Sequence, residues 1–231
     1  MKHPSLEKKT AILINIILIF ILTFGILIKT ASINKPDIKK NIPMPKEEKV
    51  SLIGDINTQR IINADNEPHN WLAHGRDYYE QRYSPLDQIN TETIGNLELE
   101  WSLDMGTTRG LEATPIVDNG IMFVSSTWSV VHAVDAKTGE ELWVYDPNVP
   151  RSWARKVCCD VVNRGVAVWK GKVYFGTIDG RLISLDSKTG KVIWEINTLI
   201  DKEKDYTITG APRIANGKVF IGNGGADMGG V

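Results

Sequence analysis

A nine-residue stretch recurs at a fixed spacing and constrains most of what this chain can fold into. Asp135-Ala136-Lys137-Thr138-Gly139-Glu140-Glu141-Leu142-Trp143 returns 51 residues later as Asp186-Ser187-Lys188-Thr189-Gly190-Lys191-Val192-Ile193-Trp194. Gly120 and Gly171 each precede the Asp of their copy by 15 residues, and a third copy opens at Asn216-Gly217-Lys218-Val219-Phe220-Ile221-Gly222. Self-similarity at this period marks a propeller or a solenoid. In the second copy, alternation and the turns Lys170-Gly171, Asp179-Gly180 and Lys188-Thr189-Gly190 predict strands at Gly165–Trp169, Lys172–Thr177, Leu182–Asp186 and Val192–Ile196. Four antiparallel strands per repeat make one propeller blade. The Asp-x-Lys-Thr-Gly turn leads into the outermost strand, whose Trp is expected to pack between neighbouring blades. Leu97-Glu98-Leu99-Glu100-Trp101 reads as a lone outer strand of a blade completed elsewhere. The chain is therefore expected to be all-β, an incomplete β-propeller.

The N-terminus does not share this pattern. Lys8 and Lys9 precede an apolar run from Ala11 to Ile28, broken only by Asn15, Thr23 and Gly25. Its length suits a signal peptide or a signal-anchor transmembrane helix. Residues 1–30 are therefore expected to direct export of the remaining chain, to the periplasm, to the outside, or to an inner-membrane anchor through residues 11–28. Residues 31–69, rich in Lys, Asn, Pro and Glu, read as a flexible tether, with the propeller spanning 70–231. With 27 basic and 28 acidic residues there is no electrostatic footprint for nucleic acid.

The repeat also places the chemically unusual residues. Counting back eight positions from Gly120, Gly171 and Gly217 gives Glu112, Asn163 (with Arg164 next) and Thr209. These positions head the innermost strands of successive blades, so they are expected around the central axis on one face. Strand alternation returns the turn between second and third strands to that face, which in the third copy is Gly224-Gly225-Ala226-Asp227. The linker holding Cys158-Cys159 joins them there, while the Lys-Thr-Gly turns fall on the opposite face.

Cys158 and Cys159 are the only cysteines. Bridging adjacent residues spans Cα atoms about 3.8 Å apart, below the usual disulfide range of roughly 4.4–6.8 Å, so the ring is strained and reducible. A buried pair of free thiols is the other reading of the same two residues. Arg164 offers a planar donor fork for carboxylate or quinone oxygens, whereas an isolated surface Arg usually makes only an ion pair. Glu112 and Thr209 gain weight from sharing its blade position. Asp227 follows two glycines in a turn that lets backbone approach a ligand. One carboxylate does not hold calcium, which takes six to eight oxygens. The histidines His3, His69, His74 and His132 show no metal spacing and receive no role.

Cys158-Cys159-Asp160-Val161-Val162-Asn163-Arg164-Gly165 resembles the family of pyrroloquinoline quinone (PQQ)-dependent methanol and ethanol dehydrogenases. So do Trp71-Leu72-Ala73-His74-Gly75-Arg76-Asp77 and Gln81-Arg82-Tyr83-Ser84-Pro85-Leu86. The resemblance implies an eight-bladed propeller with PQQ and calcium or a lanthanide at the axis, of which about two and a half blades lie in this sequence. It implies a vicinal disulfide between Cys158 and Cys159 against one face of the quinone. Glu112, Arg164, Thr209 and Gly224 would bind the cofactor's edges, with Gly225 and Ala226 lining it. Asp227 would be a metal ligand, at a position where many relatives carry Glu. The implied reaction oxidises primary alcohols to aldehydes and passes electrons to a cytochrome c or quinone acceptor.

No catalytic residue is assigned within the sequence, because the family's base Asp is expected beyond Val231. The chain alone is therefore expected to give no turnover and, as an open arc, to be weakly ordered or to aggregate. The alternative is a non-catalytic envelope propeller scaffold, which needs neither a cysteine pair nor an axial Arg. A sugar dehydrogenase using the same cofactor is disfavoured by the vicinal cysteines.

Overall fold

The computed structural model describes residues 53–157, 159–201 and 203–224. The apolar run at 11–28 lies outside the described residues. Among those described, no helix is long and apolar enough to cross a membrane.

Two four-stranded antiparallel sheets and a two-stranded ladder succeed one another along the chain. Strands β1 (Ile116–Asp118), β2 (Ile121–Ser125), β3 (Val131–Asp135) and β4 (Glu141–Tyr145) form the first sheet in sequence order. Strands β5 (Ala167–Trp169), β6 (Lys172–Gly176), β7 (Arg181–Asp186) and β8 (Val192–Asn197) form the second, and β9 (Arg213–Ala215) pairs with β10 (Lys218–Phe220). The four strands expected in the second copy are all present, shifted by one or two residues at their ends.

The repeat is obeyed down to the register. Ile116, Phe123, Ala133 and Trp143 lie opposite one another across the first sheet. Their counterparts 51 residues on, Ala167, Tyr174, Ser184 and Trp194, do so across the second. The irregularity between Ala133 and Val134 recurs between Ser184 and Leu185. A sheet buries a set of side chains only when its register is fixed, because a one-residue slip turns them all to the other face.

Trp143 of the first outer strand packs onto the next blade, and Trp101 docks in the same way. Trp143 Nε1 donates to Ser187 O at 3.0 Å, and Trp101 Nε1 donates to Ala136 O at 3.2 Å. Each indole covers a glycine of a Lys-Thr-Gly turn, Gly190 (φ +68°) and Gly139 (φ +75°). There a Cβ would lie 2.7 and 2.6 Å from the ring. Only glycine fits both the left-handed backbone and the close approach. The backbone of Leu97–Trp101 joins no ladder among the described residues. An extended segment needs a neighbour to pair with before it becomes a strand, yet Trp101 still docks as an outer-strand Trp does.

The main core lies between the sheets, with Phe123, Val131, Ala133, Val173, Phe175, Ile183 and Leu185 fully buried. Residues 53–69 correct the expected tether. A short helix α1 (Thr58–Ile62) starts where Asn57 Oδ1 accepts from the main-chain N–H groups of Gln59 and Arg60. Ile56 and Ile61 enter the main core. The segment spans both sheets. Arg60 pairs with Asp118 at 2.6 Å and with Glu67 at 2.6 Å. On the second sheet, Lys170 N donates to Ile56 O at 3.0 Å and Gly171 N to Gly54 O at 2.9 Å. A five-residue helix leaves no periodicity to read, and Ile56 and Ile61 are buried by apolar surface that other elements supply.

Candidate functional site

Each innermost strand is preceded by a segment that lies against its neighbour in the next blade. Thr114 and Gly165 form a parallel bridge, with Thr114 N donating to Arg164 O at 3.3 Å. Arg164 N in turn donates to Thr209 O at 2.9 Å. Equivalent blade positions are thus bonded edge to edge around the axis. At Gly165 (φ +130°) a Cβ would sit 3.0 Å from Thr114 O, so this approach also favours glycine.

On this main-chain frame the side chains of Glu112, Arg164 and Thr209 meet. Arg164 Nη2 lies 3.0 Å from Glu112 Oε2, and Nη1 donates to Thr209 Oγ1 at 2.8 Å. Glu112 and Arg164 each keep 41 % of their side-chain surface exposed, so the cluster is accessible to a ligand. Arg164 also lines an open cavity of about 460 Å³, together with His74, Gly210, Ala211 and Arg213. A cation at the wall of a wide, open cavity suits an anionic ligand.

Asn163, the other residue of that blade position, does something different. It is 1 % exposed, and its Oδ1 accepts from Ser125 Oγ at 2.7 Å and from Gly165 N at 3.0 Å. Its Nδ2 donates to Gly176 O at 2.9 Å. Asn163 therefore fixes the bend from which Arg164 projects.

Cys159 is disulfide-bonded, and the chain's other cysteine is Cys158, outside the described residues. Asp160 comes next with a left-handed backbone, φ +76°. Its carboxyl is held below the usual carboxylate range, first by the Val161 N–H and then by its ion pair with Arg109. Thr107, Arg109 and Glu112, spaced along one exposed loop, contact Thr127, Asp160 and Arg164 respectively. That loop thus lies along the same face as the cysteine linker.

Gly224 pairs with Thr207 through both main-chain hydrogen bonds, at 2.7 and 3.1 Å, two residues from Thr209. Gly225, Ala226 and Asp227 lie outside the described residues. Among the described residues, no group of three His, Cys, Asp or Glu side chains is placed to hold a metal ion.

Sequence reasoning missed two contributors. His74 reaches the cavity wall beside Arg164 from a segment outside the repeat, and Arg213 reaches it from β9, at the third copy's counterpart of Ile116 and Ala167. Burial, and then the charges of Arg213 and Arg82, push the His74 imidazole below its usual range, favouring the neutral ring. A small second core, formed by Val149, Val157, Val161 and Ile178 with Trp128, Trp153 and Ala154 packed on it, underlies the cysteine linker. Its one signal in the sequence was two Trp outside the repeat's outer-strand position.

Residues 71–229 match the PQQ family profile described as the glucose/ethanol/alcohol dehydrogenase β-propeller domain. The dehydrogenase subunit of the quinone alcohol dehydrogenase of Komagataeibacter europaeus is 57% identical over 176 residues, covering 74% of this chain and 24% of its own length. The structure of a quinohemoprotein alcohol dehydrogenase from Pseudomonas putida HK5 superposes with a TM-score of 0.76. It is 53% identical and covers 78% of this chain and 26% of its own. A europium-containing methanol dehydrogenase superposes with a TM-score of 0.68 at 39% identity, covering 72% of this chain and 29% of its own. The chain spans about a quarter of the length of the curated relatives it matches.

Proposed function

Because the chain belongs to the PQQ-dependent glucose/ethanol/alcohol dehydrogenase β-propeller family, we propose that it supplies one edge of a PQQ site in an alcohol-oxidising enzyme. The observation that carries this reading is the Arg164 guanidinium held between Glu112 and Thr209 on the cysteine-bearing face. The residues fit the group. PQQ is a planar tricarboxylate with quinone oxygens, and a planar donor fork binds such acceptors in pairs. The open cavity gives it room beside Arg164 and Arg213.

In this reading Arg164 and Thr209 donate to cofactor oxygens, and Glu112 holds the guanidinium in orientation. The Cys158–Cys159 disulfide lies against one face of the ring. Gly224, Gly225 and Ala226 line its rim, where the lack of side-chain bulk permits close backbone approach. Asp227 contributes one oxygen to calcium or a lanthanide, the remaining ligands coming from the cofactor and from outside these residues. PQQ, when bound, supplies the quinone that accepts two electrons from the alcohol. No catalytic base is assigned within residues 1–231. Electrons leave to a cytochrome c or a quinone, the latter named for the Komagataeibacter relative. The protein works on the periplasmic side, exported or anchored through residues 11–28.

The test is a titration of the purified protein carrying this sequence with PQQ in the presence of calcium, monitored by tryptophan quenching. Saturable binding, weakened roughly tenfold or more in Arg164→Ala, is expected. Equal affinity in wild type and Arg164→Ala would overturn the assignment.

A further inference from the structure

Beyond the residues that touch a cofactor, we infer that Trp128 is a positioning residue. Its stacking with Arg151 and its main-chain bond to Val161 hold the linker that carries the cysteine pair. The hold on the cysteines rests on the contacts alone. Only its consequence for PQQ rests on the proposed function.

The turn joining β2 to β3 lies on the site face and has an unusual backbone. Trp128 (φ +61°, ψ 18°) and Ser129 (φ +61°) are successive non-glycine residues in the left-handed region. Such conformations persist only where the surroundings over-determine them, and they gather at functional sites.

Here the turn is fastened from every neighbouring element. Trp128 N donates to Val161 O at 2.9 Å, on the cysteine linker. Thr127 Oγ1 donates to Thr107 Oγ1 at 3.0 Å, on the loop that carries Arg109 and Glu112. Ser129 Oγ accepts from Ile178 N at 3.3 Å, on the corresponding turn of the second blade. Ser126 Oγ meets His132 Nε2 at 3.2 Å, and His132 Nδ1 meets Glu141 at 2.7 Å, tying the turn to its own sheet.

The indole completes the arrangement. Trp128 packs on the cluster of Val149, Val157, Val161 and Ile178, and the Arg151 guanidinium lies 4.1 Å over its ring. A cation over a Trp face is an attractive contact, stronger where partly shielded from water. Val157 and Val161 flank Cys158-Cys159 on either side, and both are buried. Removing the indole takes one packing partner from the cluster that holds both flanks. The main-chain bond at Val161 is then held by a turn that has lost its reason to stay left-handed.

Disulfide reduction depends on strain and on access of the attacking thiol, so the linker's freedom is read from the rate at which dithiothreitol reduces the disulfide at Cys159. The experiment compares the full chain with Trp128→Ala, Trp128→Phe and Arg151→Gln by thiol titration. Reduction roughly tenfold faster in Trp128→Ala, intermediate in Arg151→Gln and close to wild type in Trp128→Phe is expected. Equal rates in wild type and Trp128→Ala, or no rescue by Phe, overturn the inference. Should Trp128→Ala fail to fold, Arg151→Gln decides: acceleration supports the inference and a wild-type rate overturns it. PQQ titration of the same variants separates the two claims. Faster reduction with unchanged PQQ affinity upholds the positioning role and removes its link to the cofactor.

Discussion

Arg164 Nη2 lies 3.0 Å from Glu112 Oε2, although the two residues head different blades. The pair exists because Thr114 N and Arg164 O, on adjoining inner segments, are hydrogen-bonded. A propeller converts equivalent positions of a repeat into neighbours around an axis, and here a carboxylate and a guanidinium occupy two of them.

Loss of the Arg164 fork is expected to weaken PQQ strongly. A hydrogen bond to a charged group contributes about 1.5–3 kcal/mol, so Arg164→Ala should lower affinity roughly tenfold to a hundredfold or more. Arg164→Lys keeps the charge and loses the paired geometry, and should recover only part of the binding. Fluorescence titration measures both.

The glycines under the inter-blade indoles should be less replaceable than a glycine in open space. Gly190→Ala adds a Cβ 2.7 Å from Trp143 to a backbone already at φ +68°, while at Gly120 (φ +82°) an added Cβ meets nothing within 4 Å. Overpacking costs about 1–3 kcal/mol beyond the backbone penalty the two sites share. Urea unfolding should place Gly190→Ala below Gly120→Ala by that margin, and equal midpoints would contradict the docking role of Trp143.

Acid should loosen the packing of residues 53–69. The hydrogen bond from Arg60, and then that from Asn70, hold the Glu67 carboxyl below its ordinary value of 4.5 despite partial burial. Since its folded value is depressed, the stabilisation is present above the ordinary value and is lost as pH falls through the folded one. Stability measured by urea from about pH 6 to about pH 3 should fall less steeply in Glu67→Gln than in wild type.

Metal dependence should report on Asp227. Chelation is expected to weaken PQQ binding in the wild type, and Asp227→Ala should bind with the weaker affinity whether or not calcium is present. Calcium-stimulated binding that persists in Asp227→Ala would remove this residue from the metal's ligands.

The repeat was sufficient to place the strands, the inter-blade contact of Trp143 and the shared face on which Glu112, Arg164 and Thr209 gather. These features are local patterns repeated, and alternation at period two assigns each side chain to a face without knowledge of its neighbours. The sequence left other matters open that only the tertiary structure decided. Asn163 and Arg164 are adjacent and both polar, yet one is buried in support of the bend and the other projects into the site. Residues 53–69 look like a polar tether and instead pack on both sheets, because Ile56 and Ile61 find apolar surface contributed from far along the chain. Trp128 and Arg151 meet beneath the cysteine linker for the same reason. A repeat encodes what recurs. Aperiodic segments are placed by contacts between distant residues, and those energies have no period in the sequence from which to be read.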